Sequence, residues 1–367
     1  MKLAVVAGEA SGDLHAAEVV RELKQLEPTL QTFGIGGDLL RKQGTKILYH
    51  AREMGIVGLF NVLRHLGMFR RIFRELLERI RVEKPDAVLL VDYPDFNLRV
   101  ARKCKAMGLR VVYYISPQVW AWRRGRVKQI AKSVDHMIVI FPFEEDFYRQ
   151  QNVPVTYVGH PLIEQLAMIR RKTNKSEVTR IALLPGSRRM EVNALLPAML
   201  DAVAILQREG PVQAFIVQAP TIDHDELEDI LRSRQVEIPI LAHDRGEALA
   251  AADVAMSSSG TATLECAIVG TPVVVMYRLS PMTYRLAKWL VKLPHFSLVN
   301  IIAGKQIVPE LLQHEVTGPN IARAVRDLLV PSTYERTCFE LQLVKARLGD
   351  YGASRRAAEA IMSVARG

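Results

Sequence analysis

Cysteine is scarce in this chain, with three in 367 residues: Cys104, Cys266 and Cys338. They are odd in number and far apart, with no CxxC or Cys/His spacing. That pattern excludes a disulfide framework and a zinc site of ordinary spacing, and it fits reduced thiols in a cytoplasmic protein. Long apolar runs are also lacking. Leu3–Ala7 follows Lys2 but is soon interrupted by Glu9 and Asp13, too early for the apolar region of a signal peptide, so it reads as a first strand. From Val254 to Tyr277 the one charge is Glu265, yet Gly260, Gly270, Pro272 and the serines 257–259 break the stretch. It reads as strand, helix and strand, not as a membrane span. Acid is missing locally: Phe96–Val134 holds ten basic residues and no acidic one. Such a local positive field attracts phosphate, whether of nucleic acid, lipid headgroup or small molecule.

The rest of the composition is that of an ordinary globular protein, 49% hydrophobic and 24% charged. A chain of 367 residues exceeds the size at which one core stops growing, so two domains are expected. The net charge of +10 is uneven: residues 1–165 hold 25 basic against 18 acidic residues, which is +7 and leaves +3 for the remainder. Short β-branched runs at Leu3–Ala7, Ala87–Val91, Arg110–Ile115 and His136–Ile140 alternate with helical patterns, the grammar of a doubly wound α/β domain. After a polar stretch at Arg170–Lys175 the pattern restarts, with strands expected at Ile181–Leu184, Ala214–Val217, Val254–Met256 and Val273–Met276. Helices are expected at Ala194–Gln207 and Thr261–Ile268. The expectation is two Rossmann-like domains facing a cleft, with ligands beyond the carboxyl ends of the strands.

Several turns could carry chemistry. Gly8-Glu9-Ala10-Ser11-Gly12-Asp13 follows the first strand and opens a helix; as a bare structural element it is a tight turn capped by Ser11 or Asp13. Asp92-Tyr93-Pro94-Asp95 ends another strand with two carboxylates three residues apart. One is a candidate general base, with helix capping by Asp95 and backbone amides on Asp92 as the alternative. Gly186-Ser187-Arg188 and Ser259-Gly260-Thr261 each lie between a strand and a helix, offering amides, hydroxyls and, in Arg188, a guanidinium to a diphosphate. Glu265, flanked by Leu264 and Cys266, is costly to bury unless partnered, and is a candidate acceptor for ribose hydroxyls. Two anion-binding helix starts meet a diphosphate without any metal. Between Met54 and Arg81 an apolar face including Val57, Leu63, Leu66 and Phe69 is wider than a core stripe and interleaved with arginines, a pattern suited to a membrane interface. Trp120-Ala121-Trp122-Arg123-Arg124-Gly125-Arg126 has the stacking and charge of a nucleic-acid binder but no complete module around it.

Taken in order, these motifs, together with Val158-Gly159-His160-Pro161 and Asn300-Ile301-Ile302-Ala303-Gly304, resemble the lipid-A-disaccharide synthase family over nearly the whole chain. The sequence departs from the usual pattern at Tyr93, where alanine is common, and at Val299, where proline often precedes the asparagine. The resemblance implies a GT-B fold with domains at 1–168 plus 350–367 and at 177–349, the C-terminal helix Ala353–Arg366 crossing back to the first. It implies an inverting condensation of UDP-2,3-diacylglucosamine with 2,3-diacylglucosamine 1-phosphate (lipid X) that releases UDP, with no cofactor and no metal. Asp95 is then the candidate base and Glu9 a second carboxylate. Gly186, Ser187, Arg188, Ser259, Gly260, Thr261, Glu265 and Asn300 fall on the donor side; Ser11, Val57, Leu63, Leu66, Phe69 and Arg123 on the acceptor and lipid side. The expected setting is cytoplasmic, peripheral on the inner leaflet of the inner membrane, without nucleic acid, with a homodimer as a candidate assembly. The alternative enzyme is a UDP-N-acetylglucosamine 2-epimerase or another GT-B protein acting on soluble sugars.

Overall fold

The computed structural model describes residues 1–55, 62–122, 124–171, 177–280, 284 and 294–367, leaving out the side chains of 55, 62–66, 121, 122 and 124. The chain divides into two compact units, Met1–Pro161 with Leu348–Gly367, and Leu162–Arg347. The division falls before the polar stretch at 170–175, because the helix Leu162–Gln165 packs on the helix Thr261–Val269 of the second unit.

The first unit is built on seven parallel strands: β1 (Lys2–Ala7), β2 (Gln31–Gly36), β3 (Lys46–His50), β4 (Ala87–Val91), β5 (Val111–Tyr114), β6 (His136–Val139) and β7 (Val155–Tyr157). Their order is β3-β2-β1-β4-β5-β6-β7. β4 and β5 are buried at every residue, as parallel strands covered on both faces must be, and this is why they read as unbroken apolar runs. The order reverses direction between β1 and β4, which lie side by side with Ala7 opposite Val91. Beyond those two carboxyl ends the sheet leaves a crevice. The helix Ala353–Arg366 packs on the helix Ala10–Leu26 and on β4–β6 of this unit. Arg110 holds its last turn by donating to the carbonyls of Val364 (3.1 Å) and Ala365 (2.7 Å), a cation at a helix C-terminus.

The second unit repeats the plan with β8 (Thr179–Leu184), β9 (Val212–Val217), β10 (Ile240–Leu241), β11 (Val254–Ser258), β12 (Val273–Tyr277) and β13 (Glu310–Leu312), ordered β10-β9-β8-β11-β12-β13. Its reversal lies between β8 and β11. The weakly charged stretch after Asp253 is β11, helix and β12, as its glycines and proline predict. Among the described residues one helix, Arg189–Glu209, is long and apolar enough to cross a bilayer by length and composition. Its Val192, Leu195, Leu196, Met199 and Val203 are buried in this unit's core, which accounts for its apolarity.

The wide apolar face expected from Met54 to Arg81 is described at 54–55 and from 62 onward. A short helix spans Ala51–Gly55 and a longer one Val62–Glu83. In the latter, Ile72, Leu76 and Ile80 are fully buried, and Phe69, Phe73 and Leu77 pack against the same core. Phe69 therefore belongs to the sheet-facing side, while Arg70, Arg71 and Arg74 are the solvated face. Val57 lies outside the described residues, as do the side chains of Leu63 and Leu66.

Candidate active site

The two turns at the reversal of the first sheet form an acidic, strained cluster. Gly8 and Glu9 leave β1; Asp92 and Tyr93 leave β4. A side chain at Gly8 would place its Cβ 2.5 Å from the Tyr93 ring, so only glycine lets the ring close over the turn. Asp92 and Tyr93 are consecutive left-handed residues, with φ of 47° and 50°, and Ile115 at the end of β5 has φ of 62°. Left-handed backbone is costly for non-glycine residues, most of all β-branched ones, and persists where the surroundings impose it. Here the imposing groups are identifiable. Buried Asn97 donates through Nδ2 to the carbonyls of Val6 (3.3 Å), Val91 (3.2 Å) and Asp92 (2.7 Å), and the Tyr113 hydroxyl donates to Asp92 O (2.6 Å). The Asp92 carbonyl, not its carboxylate, is what this clamp holds.

Burial, reinforced by the negative charge of Glu9, pushes the Asp92 carboxyl up to about 6. Two interacting carboxyl groups at neighbouring strand ends, one of them with a raised pKa, are the kind of arrangement found at acid–base sites. Asp95 sits in the first turn of the helix Pro94–Ala106, largely exposed, with Oδ1 2.7 Å from Arg126 Nη2. Arg126 closes the basic aromatic stretch that begins at Trp120, and its pairing with Asp95 is set by tertiary contact. Ser11 is exposed on the first turn of the helix Ala10–Leu26, whose N-cap is Glu9 and lacks a side-chain cap. Asp13 does not cap that helix. It is buried and accepts from the amides of Gly37 (2.6 Å), Leu39 (3.0 Å) and Leu40 (3.2 Å), holding the turn after β2. Arg123 lies outside the described residues.

In the second unit, the Gly186–Arg188 turn after β8 and the Ser259–Thr261 turn after β11 lie beside each other, since Leu184 pairs with Ser257. Their surroundings differ. Glu191 accepts from Ser187 N (3.1 Å) and pairs with Arg188 (3.2 Å), so the guanidinium expected to clamp a phosphate rests on its own helix. An acid three residues into a helix is a capping signature, and it was the available signal for Glu191. Gly186 adopts φ of +134° with Glu191 against it, at a would-be Cβ distance of 2.6 Å. At the other turn, the helix Thr261–Val269 has no side-chain cap, Thr261 is exposed, and space opens beside Gly260. Ser259 is already used, its amide donating to Met276 O and its hydroxyl to Phe296 O (3.1 Å).

Two residues expected to meet a ligand have internal partners. Glu265 is partnered as its burial required, by Arg245 at 3.0 Å, a residue twenty positions away on another helix. Asn300 is fully buried and saturated: its amide donates to Val308 O (3.0 Å) and Glu310 Oε1 (2.8 Å), and its carbonyl accepts from Ile307 N and Val308 N. It shapes the 300–310 segment and has no valence left for a sugar.

Comparison with known proteins decides what this frame is. A family profile described as lipid-A-disaccharide synthetase matches residues 3–350. The chain belongs to that family. It is an enzyme, a UDP-sugar glycosyltransferase of lipid A biosynthesis. It is similar to the lipid-A-disaccharide synthase of Myxococcus xanthus, 43% identical over 373 residues that cover 99% of this chain and 97% of the relative. Among solved structures it resembles UDP-GlcNAc 2-epimerase from Neisseria meningitidis bound to UDP-GlcNAc (TM-score 0.65, 14% identity, covering 99% and 100% of the two chains). It likewise resembles a calicheamicin glycosyltransferase (TM-score 0.61, 14% identity, 99% and 98%). At such identities the likeness speaks for the GT-B fold, which transferases and epimerases share; the family match separates the synthetase from the epimerase.

Proposed function

We propose that this synthetase condenses UDP-2,3-diacylglucosamine with 2,3-diacylglucosamine 1-phosphate in one inverting displacement, giving a β-1,6-linked disaccharide 1-phosphate and UDP. The observation that carries this reading is the family match over residues 3–350 joined to the clamped acidic turn Asp92–Asp95 at a sheet reversal. Asp95, exposed and paired with the Arg126 guanidinium, takes the proton of the acceptor hydroxyl; Glu9 and Asp92 line the same strand ends. The uridine diphosphate is assigned to the turns after β8 and β11. The uncapped start of the helix Thr261–Val269 supplies amides and a dipole to the leaving phosphates. Arg188 joins them by leaving Glu191, at little cost, since an exposed ion pair contributes about 0–1 kcal/mol. Glu265 with Arg245, and Asn300 with Glu310, hold the walls of the donor site.

The first unit is the proposed acceptor and lipid side. Between the helices Pro94–Ala106 and Val127–Ser133 runs a groove lined by Arg102, Lys105, Lys128 and Lys132, whose charge suits the acceptor phosphate and anionic headgroups of the inner leaflet. Leu63 and Leu66 are the proposed lipid contacts; Phe69, packed in the core, is dropped from that role. Replacing both leucines with serine is expected to lower co-sedimentation with anionic vesicles. Incubating the enzyme with the two diacylated sugars and following UDP and product by mass spectrometry tests the reaction. A disaccharide phosphate is expected; an isomerised UDP-sugar, or no turnover, refutes it. Asp95→Asn is expected to lower turnover roughly a hundred- to ten-thousandfold with UDP affinity kept.

A further inference from the structure

Behind the strained end of β5 lies a buried carboxyl that the mechanism above does not use. Glu144, 1% exposed, sits in the first turn of the helix Pro142–Arg149 after β6. One of its oxygens accepts from Phe141 N (3.2 Å), closing its own helix. The other reaches across to the segment after β5 and accepts from the indole Nε1 of Trp120 (3.1 Å). Ser116, hydrogen-bonded to Tyr148 (2.7 Å), borders the same group. The Trp120 ring stands edge-on to Phe143 at 4.8 Å. Helix closure needs only one carboxyl oxygen and does not require the second to cross to another segment. That crossing contact ties the chain at Trp120, six residues before Arg126, whose guanidinium pairs with Asp95. The short helix Val119–Trp122 packs on the turn Arg124–Arg126, and that turn packs on the helix Val127–Ser133, so the anchor at 120 and the cation at 126 lie on elements in contact.

We propose that Glu144 is a positioning residue that, through Trp120, sets the helix Val119–Trp122 and the turn Arg124–Arg126 packed on it, and so the Arg126 guanidinium that orients the Asp95 carboxylate. This rests on the reading of Asp95 as the base. Burial pushes the Glu144 carboxyl up to about 8.

The experiment is a double-mutant cycle on the full-length enzyme, measured by UDP release. Trp120→Phe keeps an aromatic ring and loses the N–H; Arg126→Gln loses the cation. Each is expected to lower kcat roughly ten- to a hundredfold, the effect of a misplaced reacting group, with KM for both sugars and UDP affinity within about twofold. The double variant is expected to be no slower than the slower single variant, because both cut one link. Multiplicative losses, a loss confined to KM, or undiminished kcat in Trp120→Phe overturns the proposal. If Trp120→Phe does not fold, Glu144→Met, which keeps the side-chain length and removes both acceptor oxygens, takes its place in the cycle with the same criteria. Asp95→Asn separates the two readings. Normal turnover there removes the base itself, whereas lost turnover there with multiplicative losses in the cycle overturns the positioning role alone.

Discussion

Asn97 offers the sharpest test of the clamp beneath the acidic turn. Its amide carries two hydrogens for three carbonyls, so Asn97→Ala removes two full hydrogen bonds to buried acceptors from the ends of β1 and β4. At about 1 kcal/mol for each bond, plus the penalty of a carbonyl left without a donor, the loss is about 2–3 kcal/mol. Asp92 O keeps the Tyr113 hydroxyl, which sets the lower end of that range. The same change frees Asp92 and Tyr93 from left-handed geometry that stores about 1–3 kcal/mol per residue, so the turn relaxes and Asp95 moves with it. Turnover should fall roughly tenfold or more, since each 1.4 kcal/mol lost at the transition state is a factor of ten. Asn97→Asp provides the control. It keeps the shape but turns a donor into an acceptor against three carbonyl oxygens, so at pH 8 it should be at least as destabilising as alanine. Its buried carboxyl would have a folded pKa above the unfolded one. The variant is then most stable below the unfolded value near 4 and loses stability as pH rises through the folded value. Urea midpoints at pH 5 and 8, paired with initial rates of UDP release, read both effects. An Asn97→Asp enzyme as stable as the parent at pH 8, or an Asn97→Ala enzyme with full turnover, would refute the reasoning.

Three further outcomes are expected. Glu144 and Asp92 both titrate above their ordinary range in the folded chain, so their contribution to stability is complete in acid and declines as pH rises toward 6 and then 8. Glu144→Gln should remove up to ~1.4 kcal/mol per pH unit of that decline between pH 6 and 8, and parallel urea-midpoint curves for the two proteins would contradict it. Gly8→Ala forces the Tyr93 ring away from the strand end; the expected result is at least a tenfold drop in turnover (~1.4 kcal/mol) with unaltered UDP affinity by calorimetry. Full activity would mean the ring has no part in the site. Asn300→Ala takes the donor from the buried Val308 carbonyl and the acceptor from the amides of Ile307 and Val308, for a loss of about 2–4 kcal/mol. Amide exchange at Ile307 and Val308 should accelerate, and unchanged exchange would show that other groups hold that segment.

The sequence by itself determined the strands and the turns that bear the candidate site. β4 was legible at both ends because five consecutive apolar residues buried on both faces have no other economical state, whereas the helix Ala353–Arg366 was expected from the family resemblance and not from its own pattern. The acidic and phosphate-binding turns could be found because glycine, proline and acid at strand ends are local signals. Strands β2, β3, β7, β10 and β13 were not anticipated, being short, mixed in polarity or glycine-bearing, so that neighbouring strands and not their own pattern select them.

Only the tertiary structure decided what each polar side chain does. Asp13 looks like a helix cap and Asn300 like a ligand-facing group in their motifs, but amides of Gly37, Leu39 and Leu40 use the acceptors of the first and amides of Ile307 and Val308 those of the second. Glu265 finds Arg245, Asp95 finds Arg126, and Glu144 finds Trp120, each across 20 residues or more. A buried polar group must be satisfied by whatever the fold brings within about 3 Å, and that partner is fixed by the crossing of elements, not by the residues beside it in sequence. Local pattern reports where a group sits along a strand or helix; its partner, and therefore its charge and its task, is settled when the sheets close.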